Sequence, residues 1–250
     1  MKGPRPRPYD SEIVVVHGLR IRIRVEGDGD PLLLLNGLTR PLESWGPFAE
    51  AMGGRTLVSF DAPGVGGSPR PILPLSIATL ARIAVSVLDE AGLDRVDVLG
   101  FSHGGAVAQQ LAVHAPARVR RLVLVSTSCG VGATPGSQEA LRALRTPSDA
   151  RSWPRLDAVG ALWHSLAIST WSSIPFLGAI RAPTLVVCGA RDRVVPAANS
   201  ALLARRIPGA ELVVLPAGHD LLRRGPALSL AGAVEPFLVA GHVPDSLPLG

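Results

Sequence analysis

The sequence predicts an α/β architecture: a mostly parallel sheet with helices on both faces and a short insertion over one end. Three observations predict it. Short runs such as Leu32 to Leu35 are apolar at every position, as strands covered on both faces must be. These runs alternate with segments of helical periodicity, which is the pattern of parallel strands joined by crossover helices. The rhythm fails once, from Gly130 to about Leu177, and then resumes. The 250 residues are therefore read as one domain, 1–250, carrying a cap insertion at about 130–178.

Taken in order, "IVVVHGLRIRIRVEGDGDP" reads as two strands joined at Gly18, the second alternating Ile21, Ile23 and Val25 with arginines. "LESWGPFAEAM" reads as a helix, and Thr56 to Phe60 as a buried strand. Ser76 is placed to cap a helix from Ile77 to Ala91. A strand at Val96 to Leu99 precedes a helix that follows Ser102 and stops before Pro116. "RLVLVS", "TLVVCGA" and "ELVVL" supply further strands. Helices are expected near Pro196 and from about Leu228 to Leu238.

Composition excludes several function classes. The formal charge is +5, Lys2 is the only lysine, and the arginines are scattered without interleaved aromatics, so no nucleic-acid surface is expected. No apolar run reaches membrane-spanning length, and "MKGPRPRPYDSE" lacks an apolar signal core, so a short N-terminal arm and a cytoplasmic protein without a membrane span are expected. Cys129 and Cys188 stand far apart and read as buried thiols. Gly64 and Gly66 in "FDAPGVGGSPR" evoke a dinucleotide loop. The third glycine is missing, and Pro69 and Pro71 oppose a helix start. With no phosphate loop and no metal-spaced ligand set, no cofactor or metal is expected.

The chemistry concentrates at strand ends, where sites of such sheets form. Gly100-Phe101-Ser102-His103-Gly104 fits G-x-S-x-G between a strand and a helix, the setting of a nucleophile elbow. A serine nucleophile needs a base and the base an orienting acid, in later loops. Asp192 follows the strand Thr184 to Cys188, and His219 follows Glu211 to Leu215. His17, His114, His164 and His242 read as surface or packing histidines, and so does the ring of His103, which points away from the nucleophile if it lies on the helix. Two donors must hold the oxyanion. The backbone N–H of His103 is one. The other is Leu38 N–H, in a loop shaped by Asn36 and Gly37 after the strand Leu32 to Leu35.

From about Leu32 to Leu238 the chain resembles the α/β-hydrolase superfamily. "LLLLNGL", "FDAPGVGGSPRP", "VDVLGFSHGGAVAQQLA" and "IRAPTLVVCGARDRVVPAANSALLARRIPGAELVVLPAGHDLL" are similar to intracellular poly(3-hydroxyalkanoate) depolymerases, which cleave bacterial storage polyesters. The resemblance implies a catalytic triad of Ser102, Asp192 and His219 and makes the Asn36-Gly37 pair a family feature. The chain departs from the pattern at His103, where tryptophan is expected, and in an insertion between Cys129 and Ile180 that is shorter. The expectation is a serine hydrolase acting on poly(3-hydroxyalkanoate) or related 3-hydroxyacyl esters, with a storage-granule surface as a further partner. The alternatives are a small-molecule esterase or lactonase of the same fold and a non-catalytic ligand-binding protein. Trp153, Trp163, Trp171, Ile174, Phe176 and Leu177 are expected to form an apolar lid over the acyl group. Acyl chain length and oligomeric state are left open.

Overall fold

The computed structural model describes residues 11–143 and 157–242. The N-terminal arm and Trp153 of the expected lid lie outside the described residues. Eight strands form one sheet in the order β1-β2-β4-β3-β5-β6-β7-β8. β1 (Glu12–Val16) and β2 (Leu19–Glu26) are antiparallel, joined by a two-residue turn in which His17 (φ 50°) and Gly18 (φ 76°) both have positive φ. β2 also pairs antiparallel with β4 (Arg55–Phe60). From there every pairing is parallel: β3 (Asp30–Leu35), β5 (Val96–Phe101), β6 (Val119–Val125), β7 (Thr184–Gly189) and β8 (Glu211–Leu215).

Period-two alternation divides each central strand between two cores. Leu33, Leu35, Val98 and Leu124 face α2 (Ile77–Glu90), α3 (His103–His114) and α6 (Ala197–Arg206). Leu32, Leu34, Leu99 and Val123 face α1 (Gly46–Ala51) and α7 (Arg224–Ala240). That two-sided burial is why the strands read as unbroken apolar runs. Ser76 caps α2 by accepting from the Thr79 N–H at 3.1 Å.

Two elements differ from expectation. The single helix read over 42–52 is a 3₁₀ turn, Leu42–Trp45, followed by α1. Pro47 coincides with the break: it lies in the first turn of α1, where its missing N–H needs no intrahelical acceptor. The last helix begins at Arg224, earlier than Leu228, because Pro226 falls within its first turn.

Between β6 and β7 the chain leaves the sheet. α4 (Gln138–Ala143) and α5 (Ala158–Ser169) belong to this stretch, and Gly130 bridges to Ser172. It docks on the core through specific contacts. Trp171 Nε1 donates to Gln110 Oε1 of α3 at 2.6 Å, and Arg70 Nε donates to Asp157 Oδ2 at 2.8 Å. Leu177, read as a lid residue, is fully buried in the core beside α6 and does not line an opening. Among the described residues no helix is long and apolar enough to cross a membrane.

Candidate active site

The carboxyl ends of β3, β5, β6, β7 and β8 lie side by side, so the loops leaving them converge. Ser102 occupies the single position between β5 and α3, with φ 52° and ψ −115°. An L-residue avoids positive φ, and strain of this kind persists only where the surroundings enforce it. The enforcement is steric. A Cβ at Gly100 would stand 2.5 Å from the Gly104 oxygen and 2.7 Å from the Ala108 Cβ. A Cβ at Gly104 would fall on the Leu35 carbonyl, and one at Gly105 on Thr127. The strand and helix can therefore cross this closely only with glycine at those positions.

Neighbouring backbone holds the turn. The Ser102 N–H donates to the Val125 oxygen at 2.8 Å, and Thr127 Oγ1 donates to the Ser102 carbonyl at 2.6 Å. Thr127 escaped the sequence reading. Its only signal was a run of hydroxyl residues, Ser126-Thr127-Ser128, after β6. Since α3 starts at His103, that N–H belongs to the group that a helix leaves without intrahelical acceptors, at the positive end of its dipole.

Two strands away, Asp192 lies in the loop after β7. Its Oδ1 accepts from the Val194 and Val195 N–H groups at 2.9 and 2.8 Å, which fixes the carboxylate. Its Oδ2 lies 2.8 Å from His219 Nδ1. The two side chains are 0% and 8% exposed, so the pair is shielded from water. The His219 ring stands 5.3 Å from the ring of Phe101, the residue before Ser102. Among the described residues the Ser102 hydroxyl makes no hydrogen bond, so the structure joins Asp192 to His219 but does not join His219 to Ser102.

The other carboxylates nearby have different partners. Asp61 is fully buried and accepts from the Leu42 and Gly67 N–H groups, each at 2.7 Å, and from Arg22. Gly66 is required there, because a Cβ at that position would overlap the Asp61 carboxylate. The glycines that evoked a dinucleotide loop thus have a structural use. Asp220 pairs with Arg40 at 2.8 Å.

The loop after β3 is cross-braced. Asn36 Nδ2 donates to the Arg40 carbonyl at 2.7 Å, Asn36 Oδ1 accepts from Trp45 Nε1, and the Arg40 N–H returns to the Gly37 oxygen at 3.1 Å. A Cβ at Gly37 would press on the Phe101 ring at 2.8 Å. Leu38 sits at the apex of this turn, partly exposed. Two buried histidines complete the surroundings. His103 and His164 of α5 stack edge to face, with ring centroids 5.1 Å apart. Burial, and secondarily repulsion from His164 were both rings to carry a proton, pushes the pKa of His103 down to about 3, and burial lowers that of His164 as well. A cavity of about 300 Å³ opens beside Gly64, Arg70 and Asp157 rather than over Ser102. Among the described residues no group of three His, Cys, Asp or Glu is placed to hold a metal ion.

Comparison with known proteins agrees with this arrangement of strands. A family model described as the alpha/beta hydrolase fold matches residues 30–159 and 131–226. A poly(3-hydroxyalkanoate) depolymerase of Ectopseudomonas oleovorans is 34% identical, over 84% of this chain and 83% of the relative. The crystal structure of a hydrolase from Pseudomonas aeruginosa superposes with a TM-score of 0.79 at 30% identity, covering 93% of this chain and 99% of that one. The enol-lactonase of Burkholderia xenovorans superposes with a TM-score of 0.81 at 23% identity, covering 91% and 100%, and shares the fold.

Proposed function

This chain belongs to the α/β-hydrolase fold family, and from that premise we propose that it is a serine hydrolase of carboxylic esters. The observation that carries the reading is the buried Asp192–His219 pair, joined at 2.8 Å two strands from a serine in a strained elbow. A carboxylate fixed by two backbone N–H groups and bonded to Nδ1 leaves Nε2 of His219 as the proton acceptor.

In this mechanism Ser102 Oγ attacks the ester carbonyl carbon while His219 Nε2 takes the hydroxyl proton. The carbonyl oxygen becomes an oxyanion, held by the backbone N–H groups of His103 and Leu38. As the intermediate collapses, the C–O bond to the alcohol breaks, and His219 returns the proton to the leaving oxygen. Water then attacks the acyl-enzyme, giving a proton to His219; the bond from the acyl carbon to Ser102 Oγ breaks, His219 returns that proton to Oγ, and the acid leaves. Asp192 holds the imidazole in the correct tautomer and stabilises the imidazolium. The hydrogen bond between Ser102 and His219 belongs to the substrate complex, since catalytic contacts tighten there.

The substrate class is a 3-hydroxyalkanoate ester, polymeric or small. The likeness to the E. oleovorans depolymerase over most of both chains supports it. The test is a rate series on p-nitrophenyl esters from two to twelve carbons, beside a poly(3-hydroxyalkanoate) suspension and a simple lactone. Release of 3-hydroxy acid from the suspension supports the polyester reading. Turnover of small esters or lactones alone assigns the chain to that narrower class, and no turnover of any of them rejects the enzyme.

A further inference from the structure

Two histidine rings that the ester mechanism leaves unused meet where the insertion covers the elbow. His103 follows Ser102 directly, and His164 lies in α5. Their rings are 87° apart, and the residues are 8% and 5% exposed. His164 Nε2 lies 3.0 Å from the Pro63 carbonyl, and a carbonyl only accepts, so this nitrogen carries the proton and anchors the ring. His103 has no such anchor. Its Nε2 is enclosed and has no hydrogen-bond partner among the described residues. An enclosed polar nitrogen without a partner is costly, so a group that supplied one would be favoured there.

We propose that His103 is a specificity-determining residue whose Nε2 pairs with a hydroxyl carried on the acyl chain of the ester, an inference that rests on the ester-hydrolase reading above. Position argues for it. The Cα of His103 is about 3.8 Å from that of Ser102, the residue to which the acyl group is attached. A 3-hydroxyl lies only two carbons beyond the attached carbonyl. Charge argues for the same group. Burial keeps both imidazoles neutral, so a carboxylate finds no cation here. A neutral imidazole nitrogen is a donor in one tautomer and an acceptor in the other. A hydroxyl serves both, whereas an apolar chain leaves the nitrogen unpaired. Tryptophan, expected here in the depolymerases the chain resembles, offers a donor only, so histidine widens the pairing to both roles.

The experiment compares kcat/KM for p-nitrophenyl (R)-3-hydroxybutyrate and p-nitrophenyl butyrate in the wild type, His103→Phe and His103→Gln. Taking the ratio within each enzyme cancels any general loss at the oxyanion donor, which is the backbone N–H of His103 itself. The wild type is expected to favour the hydroxy ester by about 10-fold. His103→Phe should bring the ratio close to one, and His103→Gln, which keeps a donor and an acceptor, should restore part of it. A wild-type ratio near one overturns the proposal, and so does a ratio that survives in His103→Phe. If the wild type hydrolyses neither ester, the ester-hydrolase reading itself falls. Loss of the preference with hydrolysis intact bears on His103 alone. Should the phenylalanine variant fail to fold, the wild-type ratio and the glutamine variant decide the question.

Discussion

Arg40 ties the loop after β3 to the loop after β8: its guanidinium donates to Asp220 Oδ2 at 2.8 Å and lies 5.3 Å from the centre of the Phe101 ring. One side chain therefore touches the neighbour of His219 and the neighbour of Ser102, while its backbone closes the Asn36–Gly37 turn. A displacement near 1 Å in such a frame costs up to about 10²-fold in rate. Arg40→Met is expected to lower kcat by about 10-fold with KM nearly constant. Asp220→Asn should do the same, and the double variant should lose little more than either single one. The check is a double-mutant cycle on kcat, and fully additive losses would show that the two residues act separately.

Asn36→Ala removes a bond to the Arg40 carbonyl and another to Trp45. The Leu38 N–H then loses its fixed position. The expected loss in kcat is on the order of 10²-fold, the scale of one oxyanion donor, with the far-ultraviolet circular dichroism unchanged. A variant with wild-type kcat would mean that Gly37 and the Phe101 ring hold the turn unaided.

Asp192→Asn keeps the size of the side chain but favours the wrong His219 tautomer. Its kcat should fall by about 10⁴-fold. Near-normal activity would require another orienting carboxylate. Asp61 and Asp220 are poor substitutes, since the first serves Leu42, Gly67 and Arg22 and the second serves Arg40.

Acid should weaken the fold through the buried histidines. Burial holds His103 near 3 against an ordinary 6.5, so between those values the unfolded chain binds a proton that the native chain refuses. Its contribution to stability is complete above 6.5 and is lost as the pH falls toward 3, with a slope approaching about 1.4 kcal/mol per pH unit. His164 acts in the same direction. Urea midpoints between pH 7 and pH 4 should show a shallower decline in His103→Phe than in the wild type. Equal declines would mean that His103 protonates without opening the structure.

What was readable in the sequence divides along physical lines. The central strands were legible because each is buried on both faces, which placed Ser102 and Asp192 just beyond strand ends; β8, before His219, is exposed at Leu212 and Val214 and was legible from its β-branched, apolar composition instead. The elbow glycines were legible because the crossing of β5 and α3 excludes a Cβ. The break before Pro47 was missed because the apolar periodicity runs through it. Arg40 and Asp220 are 180 residues apart, and nothing local to either announces the pair. Leu177 has the composition of a lid but is buried beside α6, a choice made by tertiary packing. The His103 ring was read as a surface or packing group, and its contact with His164 was not legible because it depends on the docking of α5.

In the proposed mechanism everything depends on Ser102 as the nucleophile. The most direct test treats the protein with a fluorophosphonate and locates the adduct by peptide mass analysis, in the wild type and in Ser102→Ala. A single adduct is expected, on the peptide containing Ser102. Ser102→Ala should give no adduct and lose ester turnover by a factor on the order of 10⁶ in kcat, with the fold retained. An adduct on another serine, or a folded Ser102→Ala variant that turns over esters at the wild-type rate, would contradict that role for Ser102.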